Sequence, residues 1–137
     1  MDGKRVRNGM HDPIPGELEE AASEVVSGAI EVHRHLGPGL LESVYERALR
    51  HELGLRGIKT IAQVPITVSY KGLDILGQRL DLLVEPGVVV ELKSVDRLMD
   101  VHQRQLVSYL KSGGYRLGLL IIFNVRLLKD GLRRVVN

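Results

Sequence analysis

The sequence predicts an α/β domain in which a central mixed β-sheet is flanked by α-helices. Apolar residues recur at helical spacing over residues 17–36, and a second helical stretch follows directly. Residues 60–95 then carry the alternating and continuous apolar runs that are typical of strands. A third helical stretch and two more apolar runs complete the chain, giving the order α-α-β-β-β-α-β-β. This order favours a mixed sheet with helices packed against it.

Two helices open the predicted fold. The first covers residues 17–36 and ends at Gly37-Pro38-Gly39, where a glycine suited to a C-cap precedes a helix breaker. Its apolar positions, which we expect to face the core, are Leu18, Ala21, Ala22, Val25, Ala29, Val32 and Leu36. The second helix runs from about Leu40 to Leu55. Its inward positions are predicted to be Leu41, Val44, Tyr45 and Ala48.

Three strands are predicted next. The first covers residues 60–70 and leads into a turn at Lys71-Gly72. The side chains on its core-facing side are predicted to be Val64, Ile66 and Val68. Residues 79–84 and 88–95 form a hairpin, because apolar runs flank Glu85-Pro86-Gly87.

The last predicted elements are a helix and two strands. The helix covers about residues 100–111 and ends at Gly113-Gly114. Residues 116–123 are almost wholly apolar, which suits a strand that is covered on both faces. A short strand over about residues 132–136 closes the chain.

The predicted hairpin fixes which residues of its two strands face each other. If Glu85-Pro86-Gly87 forms a three-residue loop with its glycine in the left-handed conformation, Val84 pairs with Val88. Counting outward from this pair puts Asp81 opposite Glu91. Their Cβ atoms would then lie roughly 4.5–5.5 Å apart.

These two acids and a nearby lysine form the main candidate site. Glu91 and Lys93 are two residues apart, so they share one face of their strand. Because two close carboxylates repel each other unless a cation lies between them, Asp81, Glu91 and the backbone carbonyl of Leu92 are predicted to bind Mg²⁺ or Mn²⁺. Lys93 is predicted to orient the nucleophile or to stabilise the developing negative charge, and the whole set indicates metal-dependent phosphodiester hydrolysis. The alternative is a surface salt bridge between Glu91 and Lys93.

Two helical features are candidates to complete this site. Glu42 opens the second helix beside its buried stripe, from where its carboxylate can reach the metal. The alternative is a first-turn Glu that interacts with the helix dipole. The third helix carries one polar stripe, formed by His102, Gln105 and Tyr109. This stripe contacts a phosphate, fixes Lys93 by hydrogen bonding, or faces solvent.

Composition limits the classes of function. Of the 137 residues, 44% are hydrophobic and 26% are charged, which is typical of a globular protein. At this length we expect one domain, over residues 17–137, after a flexible tail at residues 1–16. The absence of cysteine excludes disulfides, thiolate metal sites and cysteine nucleophiles. The absence of cysteine also fits a reducing cytosol, so we expect a cytoplasmic protein. No apolar run is long enough to span a membrane, so no membrane span is expected. His33 and His35 are interpreted as partners of the helix dipole, without a metal.

Charge is unevenly distributed along the chain, although the net charge is only +2. Residues 17–36 carry five Glu and one Arg, whereas residues 37–137 carry 15 Lys or Arg against 10 Asp or Glu. Once a metal offsets the charge of the site carboxylates, the remaining surface is basic, which suits binding of a nucleic acid. The alternative is a mixed, solvated surface with no such partner. Aromatic residues total 4% with no Trp, so no stacking platform for single strands is evident.

With these motifs in place, the chain resembles a known family. Residues 39–45 match the GxxExxY signature of the GxxExxY protein family, which belongs to the PD-(D/E)xK nuclease superfamily. The resemblance extends from about Leu18 to Val136. Further segments that carry it are Gln63-Val64-Pro65, Tyr70-Lys71-Gly72, Arg79–Val84, Val90–Lys93 and Leu128–Gly131.

The resemblance implies a restriction-endonuclease-like core with a metal site at one edge of the sheet. By this resemblance, Glu42 corresponds to the acidic helix residue of the superfamily and Asp81 to its metal-binding aspartate. Glu91 and Lys93 correspond to the acid and the lysine of the (D/E)xK motif. Gln105 and Tyr109 correspond to the QxxxY pattern that some branches of the superfamily have. Before Asp81 the chain has Leu80 where the superfamily motif has Pro.

Together these observations predict a Mg²⁺- or Mn²⁺-dependent nuclease that acts on DNA. One alternative is a non-catalytic nucleic-acid-binding or assembly module on a nuclease fold, which binds in a salt-dependent way without turnover. Another is a chain that needs a partner for activity. We also expect a homodimer, because enzymes that cut duplexes often use two sites.

Overall fold

The computed structural model describes residues 12–137, so residues 1–11, most of the predicted tail, lie outside the described residues. Its elements follow the predicted order, with one short 3₁₀ helix added before the last strand. They are α1 (Gly16–Leu36), α2 (Glu42–Leu55), β1 (Thr60–Tyr70), β2 (Leu73–Val84), β3 (Val88–Lys93), α3 (Asp100–Gly113), β4 (Leu117–Ile122), the 3₁₀ helix (Leu128–Gly131) and β5 (Leu132–Val136). Within residues 12–137, no helix has both the length and the apolar character needed to cross a bilayer.

One five-stranded sheet forms the centre of the fold, with the strands in the order β1-β2-β3-β4-β5. β3 and β4 are parallel, whereas the other neighbouring pairs are antiparallel. α3 connects the two parallel strands, which cannot be joined by a tight turn. The predicted class is therefore confirmed: a mixed sheet flanked by helices, consistent with a restriction-endonuclease-like core.

Apolar side chains cover both faces of this sheet. All six residues of β4 are buried, and they alternate between two core clusters. Leu117, Leu119 and Ile121 pack on the side of α1 and α2. Leu120 and Ile122 pack on the side of α3. The prediction of a strand covered on both faces is confirmed.

α2 faces the core with residues that differ in part from those predicted. Its buried residues are Tyr45, Leu49 and Leu53. Leu41 is 73% exposed and Val44 is 41% exposed, so the prediction that they point inward is wrong. Leu41 precedes the helix in an extended conformation and is therefore not on the helical stripe. Leu36 is also exposed, because α1 ends there and Gly37 leads the chain away from the core.

β2 begins earlier than predicted, because it pairs with β1 out to the Lys71-Gly72 turn. Residues 73–79 are all exposed, so this half of the strand lacks the alternation of burial by which a strand is recognised. In β1, Ile66 is buried and Val64 and Val68 are half-buried, which confirms the predicted face. β3 ends at Lys93, two residues before its predicted end.

The hairpin between β2 and β3 has the predicted register, with Val84 paired with Val88. Its loop closes through a hydrogen bond of 2.9 Å from the Gly87 N–H to the Val84 carbonyl. Gly87 has a φ of 159°, so the prediction of a left-handed conformation is wrong. This glycine is the last residue of the turn and lies outside the two central positions at which turn types demand a positive φ.

Candidate active site

Asp81 on β2 and Glu91 on β3 lie beside each other where the two strands separate. The regular pairing of the strands ends at Leu82 and Val90. Beyond it, the Asp81 N–H donates to Glu91 Oε2 at 2.8 Å, and the Leu92 N–H donates to Asp81 Oδ2 at 2.9 Å. Each carboxylate therefore takes the place of a backbone carbonyl in the ladder between the strands. The structure brings together the two acids that the hairpin register paired.

Burial strongly perturbs the ionisation of this pair. Glu91 is only 4% exposed. Its burial, followed by the nearby Asp81 charge, raises the pKa of Glu91 from 4.5 to about 8. Burial also raises the pKa of Asp81, which the hydrogen bond from Leu92 partly opposes. Because Glu91 is buried, the alternative interpretation of Glu91 and Lys93 as an exposed salt bridge on the surface is excluded.

Lys93 ends β3 on the same face as Glu91. Its positive charge lowers the pKa of Asp81 and of Glu91, although less than burial raises both values. The Lys93 carbonyl accepts a hydrogen bond of 3.2 Å from the Phe123 N–H, which anchors this end of the strand to the end of β4. The half-buried lysine is thus held next to the two acids on a fixed strand.

Glu42, the first residue of α2, reaches the end of the same strand. Its Oε2 accepts a hydrogen bond of 3.1 Å from the Ser94 N–H. The negative charge of Glu42 also raises the pKa of both Asp81 and Glu91. Glu42 therefore acts on the site electrostatically and is more than a first-turn partner of the helix dipole.

Two residues that hold Glu42 in place were not identified as such from the sequence. The Tyr45 hydroxyl donates to the Gly37 carbonyl at 2.6 Å and accepts from the Leu40 N–H at 3.1 Å. The Ser94 hydroxyl donates to the Leu40 carbonyl at 3.2 Å. These bonds fix the loop that leads directly into Glu42. The only sequence signal for Ser94 is a small polar residue directly after the strand that carries Glu91 and Lys93.

α3 contributes Gln105 and Tyr109 on the face of the sheet where Val89, two residues before Glu91, packs against this helix. Tyr109 is buried, and its pKa is raised first by burial and then by the charges of Glu91 and Asp81. A hydrogen bond with Gln105 opposes this shift. His102 of the predicted stripe has a different role, because its Nδ1 accepts the Met99 N–H at 3.2 Å and caps α3.

The two histidines of α1 have no part in the candidate site. His33 is buried, and its Nε2 lies 2.7 Å from the Val125 carbonyl, so it ties α1 to the segment after β4. The prediction of a simple helix-dipole partner is therefore incomplete for His33. His35 is exposed and contacts the Glu31 carbonyl at 3.2 Å within its own helix.

Gln63 is a further neighbour of the pair, which the sequence marked only as part of a segment shared with the family and not as a site residue. Its side-chain amide donates to Glu46 Oε1 at 3.0 Å and also lowers the pKa of Asp81 by hydrogen bonding. It lies in β1, the strand next to β2. No simple sequence signal marks it, because a polar residue in an exposed strand position is ordinary.

The donor set fits a hard divalent cation. Mg²⁺ is usually held by one or two carboxylates and keeps several of its waters, which suits Asp81 and Glu91. Among residues 12–137, no group of three or more His, Cys, Asp or Glu side chains is arranged so that it could hold a metal ion. The two acids are therefore the core of the donor set, and the ligand roles of Glu42 and of the Leu92 carbonyl stay predictions.

Comparisons with known proteins give one family. No curated protein matches the chain. The crystal structure of SSO0001 is similar at 16% sequence identity, covering 89% of this chain and 74% of that chain with a TM-score of 0.42. The family model of the PD-(D/E)XK nuclease superfamily matches residues 19–135, which is most of the sequence and includes the whole candidate site. The chain therefore belongs to the PD-(D/E)XK nuclease superfamily.

Proposed function

We propose that the protein is a Mg²⁺- or Mn²⁺-dependent nuclease that hydrolyses phosphodiester bonds of DNA. The observation that carries this proposal is the Asp81–Glu91 pair, in which a nearly fully buried carboxylate lies against a second one. Burying two such groups together is unfavourable without a compensating cation. Membership of the nuclease superfamily supports the reaction class, and a positively charged lysine beside the acids suits an anionic substrate.

Each site residue has a distinct role in this proposal. Asp81 and Glu91 hold the cation, which when bound would acidify a water and stabilise negative charge on the phosphate. Lys93 orients the nucleophile and offsets the charge that develops in the transition state. Glu42 adds negative charge at the end of β3. Gln105 and Tyr109 support the site from α3.

A cleavage assay with a matched control tests this proposal. Labelled single-stranded, duplex and branched DNA, and RNA, are incubated with the protein in Mg²⁺, Mn²⁺ or EDTA. Asp81→Asn should abolish cleavage, because the amide has no charge for the metal. Asp74→Asn is the control, since Asp74 is an exposed residue of the same strand whose carboxylate accepts a hydrogen bond from the Ser69 hydroxyl at 3.3 Å. Cleavage that persists in EDTA or in Asp81→Asn would contradict the proposal.

A non-catalytic nucleic-acid-binding module is the second candidate. The basic balance of residues 37–137, with 15 Lys or Arg against 10 Asp or Glu, supports nucleic-acid binding whether or not cleavage follows. This candidate predicts salt-dependent DNA binding that is unchanged by EDTA, with no cleavage under any metal.

Three finer assignments belong to the same proposal. We propose that the chain is of the GxxExxY branch, which residues 39–45 support. We propose a homodimer, which sizing or light scattering would test. The cytoplasmic location stays a prediction from the cysteine-free sequence.

A further inference from the structure

Three apolar side chains at the start of α2 are exposed to solvent. Leu41 is 73% exposed, and Leu40 and Val44 are exposed as well. Leu41 immediately precedes the helix and Val44 lies three residues later, so the two are neighbours on the first turn. Glu42 lies between them in the chain. These three side chains are called the apolar ridge below.

Hydrogen bonds hold the backbone of the apolar ridge next to the candidate active site. The Ser94 hydroxyl donates to the Leu40 carbonyl at 3.2 Å, and the Ser94 N–H donates to Glu42 Oε2 at 3.1 Å. Ser94 directly follows Lys93. On the other side, the Leu40 N–H donates to the Tyr45 hydroxyl at 3.1 Å. The ridge is therefore fixed beside the lysine of the site while its side chains stay exposed.

Two exposed arginines lie on loops at the same edge of the sheet. Arg97 is in the loop after β3 and Arg126 is in the loop after β4, so both follow the carboxyl ends of the two parallel strands. The two loops are joined by the Asn124 amide, which donates to Asp96 Oδ1 at 2.5 Å. Within residues 12–137, no carboxylate forms an ion pair with either guanidinium. Both charges are therefore available to an anion from solution.

This combination of cations and apolar side chains fits a DNA that has an unpaired nucleotide. Its phosphates match the two exposed guanidinium groups. An intact duplex hides the faces of its bases by stacking, whereas an unpaired base presents a face that an aliphatic side chain can cover. A second copy of the chain on the ridge would also cover the adjoining acids and lysine, on which the proposed cleavage depends.

We propose that this edge of the protein binds DNA at an unpaired nucleotide, whose base packs on the apolar ridge while flanking phosphates contact Arg97 and Arg126. The inference rests on the proposed function and deepens it, because it names DNA with unpaired bases as the substrate class. It assigns Leu41, the most exposed side chain of the ridge, as the main contact to the base.

DNA binding in EDTA, where the proposed cleavage does not occur, tests the role of the ridge. Fluorescence anisotropy at low salt compares a labelled duplex with the same duplex that contains a central unpaired bubble. The wild type should bind the bubble about 10-fold more tightly than the duplex. Leu41→Ala should weaken binding to the bubble by about fivefold and leave binding to the duplex unchanged.

Leu55→Ala is the matched control for Leu41→Ala. Leu55 is the last residue of α2 and is 70% exposed, so it has the same side chain and similar exposure at the other end of the same helix. Because the ridge lies only at the start of α2, Leu55→Ala should bind both DNAs as tightly as the wild type.

The salt dependence of binding tests the two arginines. Arg97→Gln and Arg126→Gln should each weaken binding to both DNAs and reduce the slope of the logarithm of Kd against the logarithm of salt concentration by about one. Arg50→Gln is the control, because the Arg50 guanidinium is exposed and contacts Thr60, which pairs with Val84 at the other end of the sheet. It should keep the wild-type slope.

The outcomes separate this proposal from its alternatives. Equal bubble binding by Leu41→Ala and Leu55→Ala, or wild-type salt slopes in both arginine variants, would overturn it. A wild type that binds neither DNA, or binds both equally well, would also overturn it. So would light scattering that shows a smaller assembly for Leu41→Ala with unchanged bubble binding, because the ridge would then join two copies of the chain. Since binding is read without metal, absence of cleavage in Mg²⁺ or Mn²⁺ would refute the proposed function and leave this test intact.

Discussion

Glu91→Gln should change how the stability of the metal-free protein depends on pH. Burial and the adjacent Asp81 charge raise the pKa of Glu91 from 4.5 to about 8. Between these two values the folded protein keeps a proton that the unfolded chain has released, so the free energy of unfolding falls as the pH rises. At 1.36 kcal/mol per pKa unit, the gap sets a ceiling of about 5 kcal/mol on the stability lost by pH 9.

We expect roughly 2–4 kcal/mol of this loss to be measured, because water penetration and relaxation lower the penalty for a buried charge. Glu91→Gln should remove the part of the loss that comes from Glu91, and leave the part that comes from Asp81, whose pKa burial also raises. The Gln amide oxygen still accepts the hydrogen bond that the Asp81 N–H gives to Glu91 Oε2, but it carries no charge. The variant should match the wild type near pH 5 and be more stable than the wild type near pH 9.

Urea unfolding followed by circular dichroism, at pH 5 to 9 in EDTA, measures this difference. Glu85→Gln is the control, because Glu85 is an exposed residue of the same hairpin and its substitution should leave the pH profile unchanged. Mg²⁺ should raise the stability of the wild type near pH 9 and have little effect on Glu91→Gln. Parallel pH profiles of the wild type and Glu91→Gln in EDTA would refute the reasoning, because the Glu91 carboxyl would then have the same pKa in the folded and the unfolded protein.

Two further substitutions test the supporting parts of the site. Lys93→Ala should lower the cleavage rate by about 100-fold or more while the circular dichroism spectrum and urea midpoint stay close to those of the wild type; unchanged cleavage would contradict its role. Tyr45→Phe removes the hydroxyl that joins Gly37 to Leu40. This substitution should lower the free energy of unfolding in urea by about 1–3 kcal/mol. It should also lower the cleavage rate, because Glu42 is then misplaced. Wild-type activity in a destabilised variant would show that the loop does not control the position of Glu42.

The sequence predicted the parts of the site that short-range geometry determines. The turn at Glu85-Pro86-Gly87 sets the hairpin register, and the two-residue period of a strand then places Asp81 beside Glu91. The register was correct even though the glycine adopts another conformation, because the hydrogen bond from Gly87 to Val84 closes the same loop. The uninterrupted apolar run of β4 likewise indicated burial on both faces.

Features that depend on tertiary contacts were not predictable in this way. The start of α2 at Glu42 leaves Leu41 and Val44 exposed, and only the packing of Tyr45 against Phe123, with ring centroids 4.3 Å apart, shows which stripe faces the core. The conformation of Gln63, with a φ of 56° in the left-handed region, opposes its own local preference and follows from contacts with other elements. Prediction from a sequence pattern relies on the conformational preference of each residue type. It therefore misses a residue that adopts a conformation which its type disfavours.

The hydrogen bonds of the Asp81–Glu91 pair link the stability of the sheet to the chemistry of the site. Each acid accepts a backbone N–H across the β2–β3 gap, at 2.8 Å and 2.9 Å, so replacing either by Ala would leave a backbone donor without its partner. The same bonds hold both carboxylates in a buried place where their charge is unfavourable. Glu91, with a pKa of about 8, therefore keeps its proton near neutral pH when no cation is bound. In the proposed metal-dependent function, binding of a divalent cation would displace that proton, so the pair would become fully charged only with the cation bound.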